Sequence, residues 1–141
     1  MDEIKIFDDL YLLSSSGGNV PLTFNQYLLL GTEALLVHTG NHDQAEELVP
    51  KIKNLLGNRI LGYIFISHFE GDECGGLSVI MKHFPKAKSL CSQVTARQLR
   101  SFGFTNQVVV KAPGEAIETN DYQLKFLSYP SEMHLWEPAN G

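Results

Sequence analysis

Residues 60–76 read ILGYIFISHFEGDECGG, and this stretch decides the fold class. Its first half is almost entirely apolar, which is typical of a strand that is covered on both faces. Its second half places His68, Glu70 and Asp72 at alternate positions, with Glu73 and Cys74 directly behind them. Metal-capable side chains at the end of a buried strand indicate an α/β sheet with a ligand site at that strand end.

Short apolar runs separated by turn residues precede this stretch, so the chain is predicted to begin with strands. Residues 14–19, SSSGGN, predict a flexible turn. Residues 31–33 predict the turn of an antiparallel hairpin. The strands predicted on this basis are residues 4–7, 11–13, 22–31 and 34–40.

A helix is predicted to follow the hairpin. Asp43 predicts its N-cap, Glu46 the capping-box partner three residues on, and Gly57 its end. The apolar residues between them recur at helical spacing and predict one buried face: Leu48, Val49, Ile52, Leu55 and Leu56.

Downstream of the quoted stretch, helices and strands continue to alternate. Residues 77–84 predict a short helix that Pro85 ends, and residues 92–103 predict a second helix capped by Ser92. A strand hairpin followed by such alternation predicts an α/β layered fold with a mixed sheet. The further strands predicted are residues 87–92, 107–112 and 122–129, the last two separated by a polar turn at residues 113–121.

Composition limits the classes of function. The 141 residues suffice for a single domain. The net charge of -5, without a stripe of Lys and Arg, argues against a nucleic-acid partner. The chain opens with acidic residues and has no apolar run that could span a bilayer, so we expect a soluble, cytoplasmic protein without a membrane partner. Cys74 and Cys91 form no CxxC pair and predict free thiols, with one disulfide as the alternative.

The spacing of the quoted motif constrains how it could bind metal. In an extended segment, alternate side chains share a face and lie roughly 6.5–7 Å apart along the chain. His68, Glu70 and Asp72 on a straight strand would therefore span about 13 Å, too far for one cation. Gly71 permits a bend that brings two of them onto one ion and turns the third toward a neighbouring ion. The alternative is a polar loop of solvated acids.

A second candidate ligand lies in the last segment of the chain. His134 follows a predicted strand and sits between Met133 and Leu135. Together with His68 and Glu70 it makes two imidazoles and one carboxylate, the ligand set of non-haem Fe(II) sites. Alone, a histidine among apolar residues is more often a hydrogen-bonded core residue than a metal ligand.

The remaining histidines carry weaker predictions. His38, at a strand end, either approaches the site or simply packs. His42 is assigned to the cap region of the first helix and His83 to a solvated helix end. Cys74 is interpreted as a small buried residue rather than a metal ligand.

With these residues assembled, the chain resembles the metallo-β-lactamase superfamily, and within it the diiron domain of flavodiiron proteins. Hydrolases of the superfamily carry HxHxDH, whereas the flavodiiron branch has HxExD, as residues 68–72 read here. Residues 24–40 look like the opening hairpin of the superfamily. Residues 133–136, MHLW, resemble the LHWP segment that carries the next ligand histidine.

This resemblance implies an αββα sandwich, of which the chain would hold the first half as one incomplete domain without a flavodoxin module. It implies that His68, Glu70 and His134 hold one iron and that Asp72 belongs to a second, with no catalytic residues beyond these ligands. Zinc or manganese are alternatives to iron. The implied chemistry is reduction of oxygen or nitric oxide with electrons from an external donor, any flavin being on a partner. Related flavin-free domains are thought to bind oxygen for sensing.

The sequence also departs from the family pattern. Glu73 stands where many relatives carry histidine, and His38 stands where they carry aspartate in LIDTG. The family's bridging aspartate and last histidine would lie beyond Gly141. Half a sandwich leaves an apolar sheet face and an unpaired strand edge, so we expect either a homo-oligomer or a missing C-terminal half.

Two other functions fit the same motif. One is a metal-dependent hydrolase of the superfamily, against which Glu70 counts because the hydrolases have histidine there. The other is a non-catalytic module that retains the fold. An enzymatic role for this chain would be of the oxidoreductase type.

Overall fold

Seven strands form one mixed sheet, and each lies beside its neighbours in the sequence. In a computed structural model, which describes residues 1–17 and 20–127, they are β1 (Asp2–Phe7), β2 (Leu10–Gly17), β3 (Val20–Leu29), β4 (Glu33–Val37), β5 (Ile60–Phe65), β6 (Lys88–Cys91) and β7 (Val108–Val110). The mixed sheet and the antiparallel β3–β4 hairpin confirm the fold class predicted from the sequence.

Helices connect the later strands. They are α1 (His42–Leu56), the single turn α2 (Gly71–Cys74), α3 (Leu77–His83) and α4 (Gln93–Ser101). A separate two-stranded hairpin consists of β8 (Ala116–Glu118) and β9 (Gln123–Lys125). Helix α4 begins at the predicted cap, because the Thr95 amide donates to the Ser92 hydroxyl at 3.2 Å.

The pairing of the sheet changes from antiparallel to parallel at β4. Strands β1 to β4 pair antiparallel, and β4 to β7 pair parallel. Parallel strands end at the same edge of a sheet, and here Val37, Phe65 and Leu90 lie side by side in register. The residues that follow them, among them His38 and Ser67, therefore meet at one edge.

The two faces of the sheet carry different cores. One face packs against the helices, and the fully buried Leu36, Leu48 and Ile64 belong to that cluster. The other face forms a smaller cluster with the β8–β9 hairpin, in which Leu35 and Phe126 are buried. Strand β5 contributes to both clusters, which confirms that it is covered on both faces.

Three local predictions were wrong. The capping box of α1 is formed by Asn41 and Gln44, not by Asp43 and Glu46, because the chain already turns into the helix at residue 42. The segment predicted as a flexible turn at residues 14–19 continues strand β2 to residue 17, paired with β3; residues 18 and 19 lie outside the described residues. The expected polar turn at residues 113–121 contains strand β8, which pairs with β9.

Within the described residues, none of the helices has the length and apolar character needed to cross a membrane. Cys74 and Cys91 are both buried free thiols. Burial raises the pKa of Cys74 to about 11 and that of Cys91 to about 12, so both are protonated at neutral pH.

Candidate metal centre

The candidate site lies directly after β5, at the edge where the parallel strands end. Backbone hydrogen bonds hold this edge on both sides: the Ile66 amide donates to Leu90, and the His38 amide donates to Phe65. Glu70, the residue before α2, is extended with φ -144° and ψ 163°, and the chain then turns into α2.

This turn brings three metal-capable side chains together. One ligand atom from each of His68, Glu70 and Glu73 lies within 4.8 Å of those from the other two. The Nε2 atom of His68 is 3.7 Å from Oε1 of Glu70 and 3.5 Å from Oε1 of Glu73. Two ligand atoms roughly 2.1 Å from a common ion can be at most about 4.2 Å apart, so both separations fit one coordination sphere.

The structure groups Glu73, rather than Asp72, with His68 and Glu70. The chain bends over residues 67–70 and enters α2 at Gly71, so the extended alternation that would align Asp72 with His68 does not form. Residues three apart on a helical turn share a face, which places Glu73 beside Glu70 and leaves Asp72 exposed. The sequence signal that was missed is this spacing of three, readable once a helix start is set at Gly71.

The surroundings of Glu73 disfavour the charged form of its carboxyl group. Burial, and then the neighbouring carboxylates of Glu70 and Asp72, raise its pKa to about 7. Its Oε2 atom is buried and has no hydrogen-bond partner among the residues that the structure describes. An orphaned carboxylate oxygen beside an imidazole and a second carboxylate is the donor set that a divalent cation would complete. The residues present therefore fit the metal that the fold family implies.

His38 reaches this site through Ser67. Its Nε2 atom lies 2.7 Å from the Ser67 hydroxyl, which in turn lies 3.1 Å from Nδ1 of His68. The ring stacks on Phe65 with centroids 6.2 Å apart. Burial, and to a lesser extent the nearby His68, lower the pKa of His38 to about 4, so it is neutral at pH 7. His38 thus packs on Phe65 and also approaches the site, through the Ser67 hydroxyl.

Three other residues were also considered as candidates. His134 falls outside the described residues, so its assignment as a ligand stays a prediction. The Cys74 thiol donates to the Glu70 carbonyl at 3.3 Å and is not part of the group around His68. His42 is exposed at the start of α1 beside Asp43, as its assignment to the cap region predicted.

Comparison with known proteins places this geometry in a family. A family model described as ODP family beta lactamase matches residues 22–136. Nitric oxide reductase of Moorella thermoacetica is 31% identical over 127 residues, which cover 84% of this chain and 32% of that protein. The chain thus spans about a third of the length of this relative.

Solved structures show the same fold. Rubredoxin oxygen:oxidoreductase from Desulfovibrio gigas superposes with a TM-score of 0.83 at 22% identity, over 99% of this chain and 37% of that one. The flavodiiron protein from Giardia intestinalis gives a TM-score of 0.84 at 15% identity, over 98% and 37% of the two chains. The model of the ODP family matches most of the sequence, residues 22–136. The chain therefore belongs to the ODP family of beta lactamases, the metallo-β-lactamase-like domain of flavodiiron proteins.

Proposed function

We propose that this chain is a non-haem iron domain of the flavodiiron type that binds oxygen or nitric oxide and takes part in their reduction. The observation that carries the proposal is the convergence of His68, Glu70 and Glu73 at the end of β5 in a member of this family. The names of two similar proteins, a nitric oxide reductase and an oxygen:oxidoreductase, support the choice of gas.

The proposed ligands of the first ion are His68, Glu70 and His134, with Glu73 as a further candidate because it lies beside His68 and Glu70. Asp72 is proposed for a second ion. Iron in such a site supplies open coordination positions for a diatomic gas and exchanges electrons with an external donor, any flavin being on a partner. A donor set rich in carboxylates favours iron or manganese over zinc.

The chain's own residues would prepare this site in two ways. The carboxyl proton of Glu73, held at a pKa of about 7, leaves when a cation neutralises the surrounding negative charge. The ring of Phe69 packs on that of Phe102 with centroids 4.6 Å apart, which anchors the segment between His68 and Glu70.

Iron content tests the site directly. The wild-type chain, His68→Ala and His83→Ala would be loaded with Fe(II) under anaerobic conditions, desalted and analysed for metal. We expect iron in the wild type and in His83→Ala, whose imidazole lies on α3 near Lys53, and a loss of most iron in His68→Ala. Equal iron content in all three chains would discard the site.

Gas uptake separates the proposal from a site that only stores a cation. The iron-loaded chain should take up oxygen or nitric oxide from solution, as followed with a gas electrode, whereas His68→Ala should not. Zinc-dependent turnover of a generic ester or phosphodiester would support the hydrolase alternative instead. Absence of both metal and turnover would support the non-catalytic alternative.

A further inference from the structure

The side chain of Ser67 lies between two imidazole rings. Its hydroxyl oxygen is 2.7 Å from Nε2 of His38 and 3.1 Å from Nδ1 of His68. The backbone amide of Ser67 also donates to Nε2 of His38, at 3.3 Å. These contacts form a continuous hydrogen-bonded chain from the end of β4 to the candidate metal ligand.

The chemistry of these groups fixes the direction of each hydrogen bond. An amide N–H can only donate, so Nε2 of His38 must carry a lone pair, which puts the ring proton on Nδ1. The single hydroxyl proton of Ser67 then donates to that lone pair at the shorter distance. The Ser67 oxygen is left to accept from His68, so Nδ1 of His68 must be protonated. The metal-binding nitrogen of His68 is then Nε2, which faces Glu70 and Glu73.

The backbone at this point supports a functional role for His38. Its φ is 66°, and among the described non-glycine residues it alone has a positive φ. Such a conformation carries a cost and persists where the surrounding structure enforces it, commonly at functional sites. The next residue, Thr39, donates its amide to the Glu73 carbonyl at 2.9 Å. Adjacent residues after β4 thus hold both ends of the segment that carries the candidate ligands.

We propose that His38 and Ser67 are positioning residues that keep the proton of His68 on Nδ1 and direct its Nε2 to the cation. Metal-bound histidines almost always donate their other ring N–H to a supporting group. Here that group is the Ser67 hydroxyl, which donates in turn to the neutral imidazole of His38. Residue 38 is a histidine rather than a carboxylate residue. The metal-binding consequence rests on the proposed function, whereas the assignment of the protons applies to the metal-free chain.

Nitrogen NMR tests the proton assignment without metal. In the ¹⁵N-labelled, chelator-treated chain, long-range ¹H–¹⁵N correlation spectra at pH 8 should show Nδ1 of His68 protonated and Nε2 of His38 unprotonated. Ser67→Ala should release His68 to the Nε2–H form, in which it donates to the carboxylates of Glu70 and Glu73. A wild-type His68 that is neutral with its proton on Nε2, or one that Ser67→Ala leaves unchanged, would overturn the assignment.

Metal affinity tests the positioning role. Titration with Co(II) or Fe(II) alone should give about 10–100-fold weaker binding in Ser67→Ala. His38→Asp should keep the affinity of the wild type, because a carboxylate accepts the Ser67 proton equally well and aspartate tolerates a positive φ. His83→Gln is the matched control and should bind like the wild type.

The outcomes distinguish this inference from the proposed function. A wild-type chain that binds no metal but shows the expected protons in the NMR spectra would refute the function and leave the assignment standing. Metal binding of equal strength in the wild type and in Ser67→Ala would refute the positioning role while the metal site stands. Weaker metal binding in His38→Asp than in the wild type would overturn the claim that His38 acts by accepting the Ser67 proton.

Discussion

At the scale of single residues, two ionisable groups of the metal-free site respond to pH in opposite directions. Glu73 has a raised pKa of about 7 and His38 a lowered pKa of about 4, so each favours its neutral form in the folded chain. Both groups titrate between pH 4 and 7. In this range the difference in bound protons between the folded and unfolded chains determines how steeply the free energy of unfolding changes with pH. Their effects on the wild type should therefore largely cancel.

Glu73→Gln should reveal the contribution of His38 to the pH dependence of the free energy of unfolding. A histidine with a lowered pKa stabilises the fold above its unfolded pKa of about 6.5 and loses this contribution as pH falls toward 4. The free energy of unfolding of Glu73→Gln should thus rise between pH 4 and 6.5. At pH 8 it should exceed that of the wild type by about 1–2 kcal/mol, since no buried charge remains at residue 73. Urea unfolding in the presence of a chelator measures both quantities.

His38→Asn is the opposite arm of the same experiment. Asparagine does not titrate and tolerates the positive φ at this position. The remaining Glu73 stabilises the fold below its unfolded pKa and loses this contribution as pH rises through about 7. Stability of His38→Asn should therefore fall between pH 4.5 and 7. Parallel pH profiles for the two variants would contradict the burial of these groups.

At the scale of elements, the site depends on how closely α1 and α3 begin beside each other. Gly76, at the start of α3, donates its amide to the Gly40 carbonyl at 2.9 Å and to the Thr39 hydroxyl at 3.1 Å. A Cβ atom at Gly76 would overlap the Cβ of Ala45 and lie 2.8 Å from the Asn41 carbonyl oxygen. Glycine is required here by contact rather than by backbone conformation.

Gly76→Ala should therefore destabilise the chain by about 1–3 kcal/mol, since overpacking would push the two helix starts apart. Gly71→Ala is the matched control, because a Cβ there meets nothing within 4 Å and its change in stability should be small. Thermal unfolding of both variants measures the difference. Equal melting temperatures for the two would show that the helix starts can separate freely.

The elements also show how far the sequence could predict the structure. Apolar residues at helical spacing predicted the body of α1, and a nearly continuous apolar run predicted the buried strand β5. The cap of α1 lies two residues before the predicted one, since Asn41 and Asp43 are equally good caps by residue type.

Strand β8 and the place of Glu73 could not be predicted for a related reason. Residues 116–118 lie within a largely polar segment, residues 113–121, and their strand is paired with β9. The single turn of α2 has no sequence periodicity of its own, yet it brings Glu73 to His68. The positions of such short elements are determined by the tertiary contacts around them rather than by their own sequences.

At the scale of the whole molecule, the sheet exposes apolar groups at one of its edges. Strand β1 is an edge strand of the described sheet, and Phe7 on it is 70% exposed. Ile4 and Ile6 on the same strand are 49% and 41% exposed. An exposed apolar edge strand is a site of association. That the chain is a homo-oligomer or lacks a C-terminal half stays a prediction, as does its being one incomplete domain.

The 141-residue chain should therefore show a mass that rises with concentration in size-exclusion chromatography with light scattering. Ile4→Lys combined with Ile6→Lys should increase the monomer fraction, because charges on an edge strand oppose pairing. The control adds the same charge at two exposed positions elsewhere, Asn58→Lys and Ser78→Lys, and should leave the mass distribution unchanged. A stable wild-type monomer with cooperative melting would contradict this expectation.

The change from antiparallel to parallel pairing at β4 also has a consequence for the order of folding. Strands β1 to β4 pair with their immediate neighbours, so this meander can close through short loops. His38 and Ser67 are 29 residues apart and meet only after α1 has crossed over and β5 has docked in parallel. The candidate metal site should thus be among the last features to form during folding. Its formation would indicate that α1 and β5 have already reached their final positions.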